Sequence, residues 1–249
     1  MKKTIGILGG MGPEATSYLF ELIIKNTQAA KDQEHIPVII YSNPLIPPRT
    51  DAILKKGLSP LPLLLEGVRI LRQAGADFIV MPCVTAHYYY HDIAKQEKIP
   101  FLNLLDETLF YVQKNIPSLT RIGLIASTGT LLSRLFHETF TKEGIEVIVP
   151  SEKEQDQVME AIFGKKGIKA GLTSGLSQKI IQDAAAKLIQ KGAEAVIAGC
   201  TEVPLVLKQV NLSVPLVDPL RIIALKSIEE AGYKIKGENS WVRNSGTFR

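Results

Sequence analysis

Short apolar runs alternate with longer amphipathic stretches through most of the chain. TIGILGG reads as a buried strand ending in a glycine turn. The helix predicted after it runs from about Pro13 to Ala30, with Pro13 suited to a first helical turn. HIPVIIYS predicts a strand over about Pro37 to Ser42. NPLIPPRTDAILKKG is irregular at first, because Pro44, Pro47 and Pro48 interrupt it. A helix from about Pro60 to Ala74 leads through Gly75 into the strand DFIVMP. Another helix starts near Thr85 and ends before IPFLNLL, and Leu109 to Asn115 is helical in pattern. RIGLIAS, residues 121–127, opens a second series. It holds a helix over Thr130 to Glu143, a strand at IEVIVP and a basic, glycine-rich loop at GKKGIKAGLTSG flanked by short helical pieces. A helix over Gln178 to Lys191, the strand AEAVIAG, a strand end at VPLVDP and a helix over Arg221 to Glu230 follow, before a polar tail. Apolar strands alternating with amphipathic helices predict an α/β fold with parallel sheets flanked by helices.

The two series repeat. Gly6 and Gly123 stand 117 residues apart, and so do Cys83 and Cys200. At the same offset Gly75-Ala76-Asp77 faces Gly192-Ala193-Glu194, and slightly later IPFLNLLD parallels VPLVDP. This predicts two pseudo-symmetric lobes with an active site in the cleft between them. Residues 1–104 form the first lobe, completed by a C-terminal helix within 219–249, and residues 105–218 form the second. Open parallel sheets bind ligands at the C-terminal ends of their strands. Both cysteines occupy such ends.

With 249 residues, 45% of them hydrophobic, the chain can bury one large core or two modest ones. The net charge of +4 is small and spread out, so composition points to no nucleic-acid partner. Two cysteines do not make a disulfide framework, and no Cys/His cluster has metal-ligand spacing. The apolar run near the N-terminus is too short for a signal segment, and the other runs are strand-length, so no membrane association and a cytoplasmic location are expected.

Cys83 and Cys200 each follow an apolar run instead of lying within it. Thr85 or Thr201 would then cap a helix whose amide end lowers the thiol pKa. Two matched thiols suit an enzyme that removes a proton from one face of a stereocentre and returns one to the other. The bland alternative is a pair of core cysteines. GILGGMGPEAT resembles a phosphate loop, but no GK[ST] is present and GxGxxG fails on spacing. Its backbone can approach a small anion, or it is simply a tight turn. Arg49 is a carboxylate clamp or a solvent-facing side chain. Lys165, Lys166 and Lys169 offer a cation for a second carboxylate or form a surface loop. Ser127, Thr128 and Thr130 mirror Gly9 to Gly12 and donate to a ligand or serve the turn. Glu202 binds an ammonium, orients a neighbour or sits in a first helical turn. His87 orients the Thr85 region, since as a general base it would duplicate the cysteine.

GGMGPEAT, MPCxTAH and AGCTE, in this order, make the chain resemble the aspartate/glutamate racemase family over almost its whole length. The resemblance implies cofactor-independent racemisation of an amino acid, aspartate first and glutamate next, in a homodimer. It implies Cys83 and Cys200 as paired acid/base catalysts, with Thr85 and Thr201 beside them. Met11, Gly12, Arg49, Ser127, Thr128 and Lys169 match substrate-facing positions, and no metal or organic cofactor is implied. One departure stands out: the usual family motif is Cys-Asn-Thr, and this chain has Cys83-Val84-Thr85. Val84 offers neither donor nor acceptor to the substrate. Val84 thereby leaves open a non-catalytic amino-acid-binding protein, and a separate reading that keeps the fold is a related cysteine-dependent isomerase or decarboxylase of small diacids.

Overall fold

The computed structural model describes residues 2–237. The chain divides into two compact units, one holding the residues up to Glu107 together with the chain from Leu220, the other Thr108–Pro219. The first contains β1 (Ile5–Gly9), α1 (Pro13–Asn26), β2 (Val38–Ser42), α2 (Arg49–Ile53), α3 (Leu61–Gln73), β3 (Phe78–Val80), α4 (Tyr90–Gln96) and the start of α5 (Leu104–Asn115). The second contains β4 (Arg121–Ile125), α6 (Thr128–Leu132), α7 (Leu135–Thr141), β5 (Glu146–Ile148), α8 (Glu152–Phe163), α9 (Leu176–Gln190), β6 (Ala195–Ala198), α10 (Val203–Val206) and β7 (Leu216–Val217). The closing helix α11 (Pro219–Glu230) returns to the first unit. No helix among the described residues is long and apolar enough to cross a membrane.

The two sheets are parallel, ordered β2-β1-β3 and β5-β4-β6-β7. β1 and β6 are buried along their whole length, as strands covered on both faces must be. One stripe of α3 (Leu64, Leu65, Val68, Leu71) and one of α9 (Ile181, Ala184, Ala185, Leu188) carry the helical period that buries them.

The internal repeat extends to the pairing register. Ile5 pairs with Phe78 and Gly6 with Ile79; Ile122 pairs with Ala195 and Gly123 with Val196, each residue 117 positions on. The next hydrogen bonds also match. Ile79 N–H donates to Pro100 O at 2.8 Å, and Val196 N–H donates to Pro215 O at 2.9 Å. Phe101 makes a single parallel bridge to Ile79 where the second unit has β7.

Several boundaries differ from expectation, each for a local reason. α1 stops at Asn26, because Thr27 turns extended, bonds back to Ile23 O and bridges Ile235. The helix expected over Thr130 to Glu143 is two helices, broken at Arg134, whose φ is 56°. The proline-rich loop gains the short α2, and α5 begins at Leu104, ahead of the expected Leu109. Helix α8, twelve residues long, replaces the short helical pieces expected before the glycine-rich loop. Its capping box, Ser151 with Glu154, is the S-x-x-E signal that announces it. The end of the polar tail, residues 238–249, lies outside the described residues.

Gly6 and Gly123 hold the central strands close to the loops that feed the cysteine strands. A Cβ on Gly6 would lie 2.8 Å from both Ala76 Cβ and Ile79 Cδ1, whereas on Gly123 it would lie 3.0 Å from Leu188 Cβ and 3.2 Å from Ala193 Cβ. Gly6→Ala is therefore expected to destabilise the fold by about 1–3 kcal/mol through overpacking, and Gly123→Ala by less. Urea titration of both variants checks the order.

Candidate active site

In the first unit β1 ends at Gly9 and the chain reverses through Gly10. The φ of Gly10 is 93°, and a Cβ there would meet the Asn43 backbone at 2.3–2.4 Å, so the turn requires glycine. Thr16 on α1 pins the turn. Its Oγ1 accepts the Gly10 N–H at 2.9 Å and donates to Gly12 O at 3.0 Å. Gly12 is the N-cap of α1. Met11 is buried in one apolar cluster with Cys83, Ile46 and Ala86, so the turn and the cysteine share a core.

Arg49 opens α2 and is half-buried. Its Nη1 donates to Ile46 O and Pro47 O at 3.2 and 3.1 Å, and its Nη2 donates to Met11 O at 3.0 Å. Three of its N–H groups thus tie the proline loop to the glycine turn. Among the described residues its buried Nε has no partner. A guanidinium has five N–H groups, so a second Nη2–H also remains.

Cys83 follows β3 and is buried. His87 Nδ1 lies 2.9 Å from the Cys83 carbonyl, and His87 Nε2 accepts the Leu104 N–H at 3.2 Å. A backbone N–H can only donate, so Nε2 is unprotonated and Nδ1 carries the proton to Cys83 O. His87 is therefore a neutral strut between the cysteine turn and α5, and burial lowers its pKa to about 4. Val84 is buried beside Cys83. Thr85 is the first residue of a 3-10 turn whose N-cap is Val84, so Thr85 is not the cap that the pattern suggested.

In the second unit Ser127 caps α6, accepting the Thr130 N–H at 3.3 Å. Thr128 N–H points to Met159 Sδ at 3.2 Å, and Thr128 Oγ1 accepts from Gln155 Nε2 at 3.2 Å. Cys200 follows β6 and is buried. Its Sγ donates to Glu202 Oε2 at 2.9 Å, Thr201 Oγ1 donates to the same oxygen at 3.1 Å, and Lys169 Nζ pairs with Glu202 Oε1. Lys169 also lies 5.4 Å from the centre of the Phe163 ring, within cation–π range. Lys165 and Lys166 are exposed.

The Cys200 cluster reverses one expectation. Burial first, and then the Glu202 charge and hydrogen bond, push the Cys200 thiol well above the ordinary thiol range. The helix after it, α10, has four residues and takes Glu202 as its N-cap, with Thr201 making no cap. So short a helix gives too little dipole to offset a carboxylate at hydrogen-bond distance. Sequence reasoning also missed Gln155 and Met159, because it missed α8.

The family model for Asp/Glu/hydantoin racemase matches residues 8–226. The broad specificity amino-acid racemase RacX of Bacillus subtilis is 28% identical over 235 residues, covering 90% of this chain and 96% of its own. The structure of Picrophilus torridus aspartate racemase is 27% identical with a TM-score of 0.85, covering 96% of this chain and 99% of that one. Francisella tularensis glutamate racemase, solved with D-glutamate, shares the fold at 18% identity, with a TM-score of 0.67 and coverage of 100% and 85%.

Two outcomes follow from the protonation states. His87 has its pKa lowered on folding, so the unfolded chain binds more protons between the two values. Its contribution is complete above pH 6.5 and is lost as pH falls toward about 4, at most about 3 kcal/mol. Urea midpoints measured across this window should fall with pH, and His87→Asn should flatten the slope from a lower starting stability. Glu202→Gln removes the carboxylate from Cys200 and leaves Lys169 beside it, so the thiol ionises at lower pH. Alkylation rate against pH in a Cys83→Ser background checks this, and an unmoved profile contradicts it.

Proposed function

The chain belongs to the Asp/Glu/hydantoin racemase family, and from that premise we propose that it racemises amino acids by proton transfer at Cα through Cys83 and Cys200. The observation that carries this reading is the repeated register. β3 and β6 pair with their central strands residue for residue at an offset of 117, and each is followed by its cysteine at that same offset. Core cysteines have no need of such matching.

In this reading the two thiols serve opposite faces of the substrate. One, as thiolate, takes the Cα proton; the other, as thiol, delivers a proton to the far face, and the roles exchange in the reverse direction. The C–H bond broken on one face is replaced by one on the other, with no net redox change. Between the two transfers the charge spreads into the α-carboxylate, where N–H groups and cations stabilise it, so no organic electron sink is required. Cys200 is held as a thiol and so is ready to deliver. When it must instead accept, Glu202 Oε2, 2.9 Å away, is placed to receive its proton.

Aspartate is the leading substrate and glutamate the next. The uncommitted Nε–H and Nη2–H of Arg49 suit a carboxylate, and Lys169 offers a second cation. A second substrate reading, a broad range of side chains, is favoured by two observations: the Lys169 charge is matched by Glu202, and the position after Cys83 is a buried valine. A panel of proteinogenic amino acids separates the two, since neutral side chains turned over as fast as aspartate select the broad reading.

Cys83→Ser and Cys200→Ser are each expected to abolish net racemisation, lowering it a thousandfold or more, because serine is a far weaker base than cysteine at neutral pH. Each variant should still exchange the α-proton of one enantiomer in deuterium oxide. Exchange followed separately on L- and D-aspartate reads this directly. Full racemisation surviving in either single variant returns that cysteine to the core.

A further inference from the structure

Gln155 is buried, with 7% of its surface exposed, on a helix whose other buried positions are the apolar or small residues Val158, Ala161 and Ile162. Its amide is fully specified. Nε2 donates to Ala126 O at 3.0 Å and to Thr128 Oγ1 at 3.2 Å. A carbonyl oxygen only accepts, so the amide cannot be flipped, and both of its hydrogens are spent. Its Oε1 has no partner among the described residues. A buried polar atom without a partner costs about 1–3 kcal/mol, so this oxygen calls for a donor.

The location says which donor. Ala126 and Thr128 lie just past β4, where an open parallel sheet receives ligands. Thr128 Oγ1 accepts from Gln155, so its own hydrogen is left to donate. Among the described residues Thr128 N–H is held only by the Met159 sulfur, a weak acceptor placed one turn along α8 from Gln155. The spot therefore combines one unfilled acceptor with two donors that an anion can claim. That is the pattern of an ammonium beside a carboxylate.

We propose that Gln155 Oε1 receives the α-ammonium of the substrate while Thr128 takes its α-carboxylate, which makes Gln155 the residue that distinguishes an amino acid from the corresponding plain acid. The inference rests on the racemase reading. Holding the ammonium fixes the Cα–H direction, and keeping that group cationic favours loss of the α-proton.

The test compares L-aspartate as substrate with succinate, the same acid without its amino group, as competitive inhibitor. In Gln155→Met, KM for aspartate should rise ten- to a hundredfold, as loss of a hydrogen bond to a charged group implies. The inhibition constant of succinate should stay within about threefold. Gln155→Glu keeps the acceptor and loses both donors, so it should retain aspartate within a few-fold while binding succinate more weakly. Thermal melts establish that each variant is folded; if Gln155→Met is not, the aspartate-to-succinate ratio of Gln155→Glu decides. Equal losses for both ligands would mean a structural role only, and an unchanged ratio in an active Gln155→Met protein overturns the inference alone. Should another amino acid be the one turned over, it and its deaminated acid replace the pair. A wild-type protein that racemises no amino acid defeats the racemase reading and this inference with it.

Discussion

The pairing of each central strand with its cysteine-bearing neighbour is the constraint on which the rest of the structure depends. β1 is buried throughout and β4 from Ile122 onward, and they carry glycines 117 residues apart, where a side chain would collide with the loop entering β3 or the helix before β6. Both faces are buried, so what forbids a one-residue slip is the close approach at these glycines, which a neighbouring Ile or Leu side chain would have to fill. With the register fixed, Cys83 and Cys200 arrive at equivalent points beyond two strand ends, and the turns at Gly9–Gly12 and Ser127–Thr128 arrive beside the ends of the central strands. The duplication gives the chain two copies of one strand-end edge.

The copies have diverged in their electrostatics. Around Cys83 the polar groups hold the backbone: His87 fixes its carbonyl as a neutral strut, and Arg49 ties Met11 to the proline loop. Around Cys200 they act on the sulfur itself, with Glu202 accepting from the thiol and from Thr201 while Lys169 balances its charge. A buried carboxylate beside a thiol raises the cost of a second negative charge, and that outweighs anything a four-residue helix offers. In the proposed chemistry such asymmetry is useful, because one proton donor is kept loaded while a partner of matched position removes a proton.

Among the described residues three buried side-chain atoms lack a partner, Arg49 Nε, His137 Nδ1 and Gln155 Oε1, and the first and last belong to side chains bonded to the segments that follow β1 and β4. Arg49 has spent three N–H groups on carbonyls and keeps its buried Nε–H, and Gln155 has spent both amide hydrogens and keeps its oxygen. Buried polar groups are ordinarily paired. Each therefore calls for a partner of the complementary kind, an acceptor at Arg49 and a donor at Gln155.

The alternation of strands and helices, the parallel pairing and the repeat at 117 residues were legible in the sequence, because burial on both faces writes continuous apolar runs and duplicated strands keep their spacing. The positions of both cysteines past their strands were legible for the same reason. Helix α8 was readable from Ser151 and Glu154 but was passed over, and Gln155 went with it. What only the tertiary structure decided is how polar atoms from distant segments meet. Lys169 and Glu202 are 33 residues apart, Gln155 and Thr128 are 27 apart, and Arg49 and Met11 are 38 apart. No local pattern encodes those distances. The Cys200 thiol is raised by burial and by the Glu202 carboxylate that the fold turns onto its sulfur, with Lys169 only partly opposing, so residue type and spacing alone pointed to a lowered pKa where the folded environment raises it.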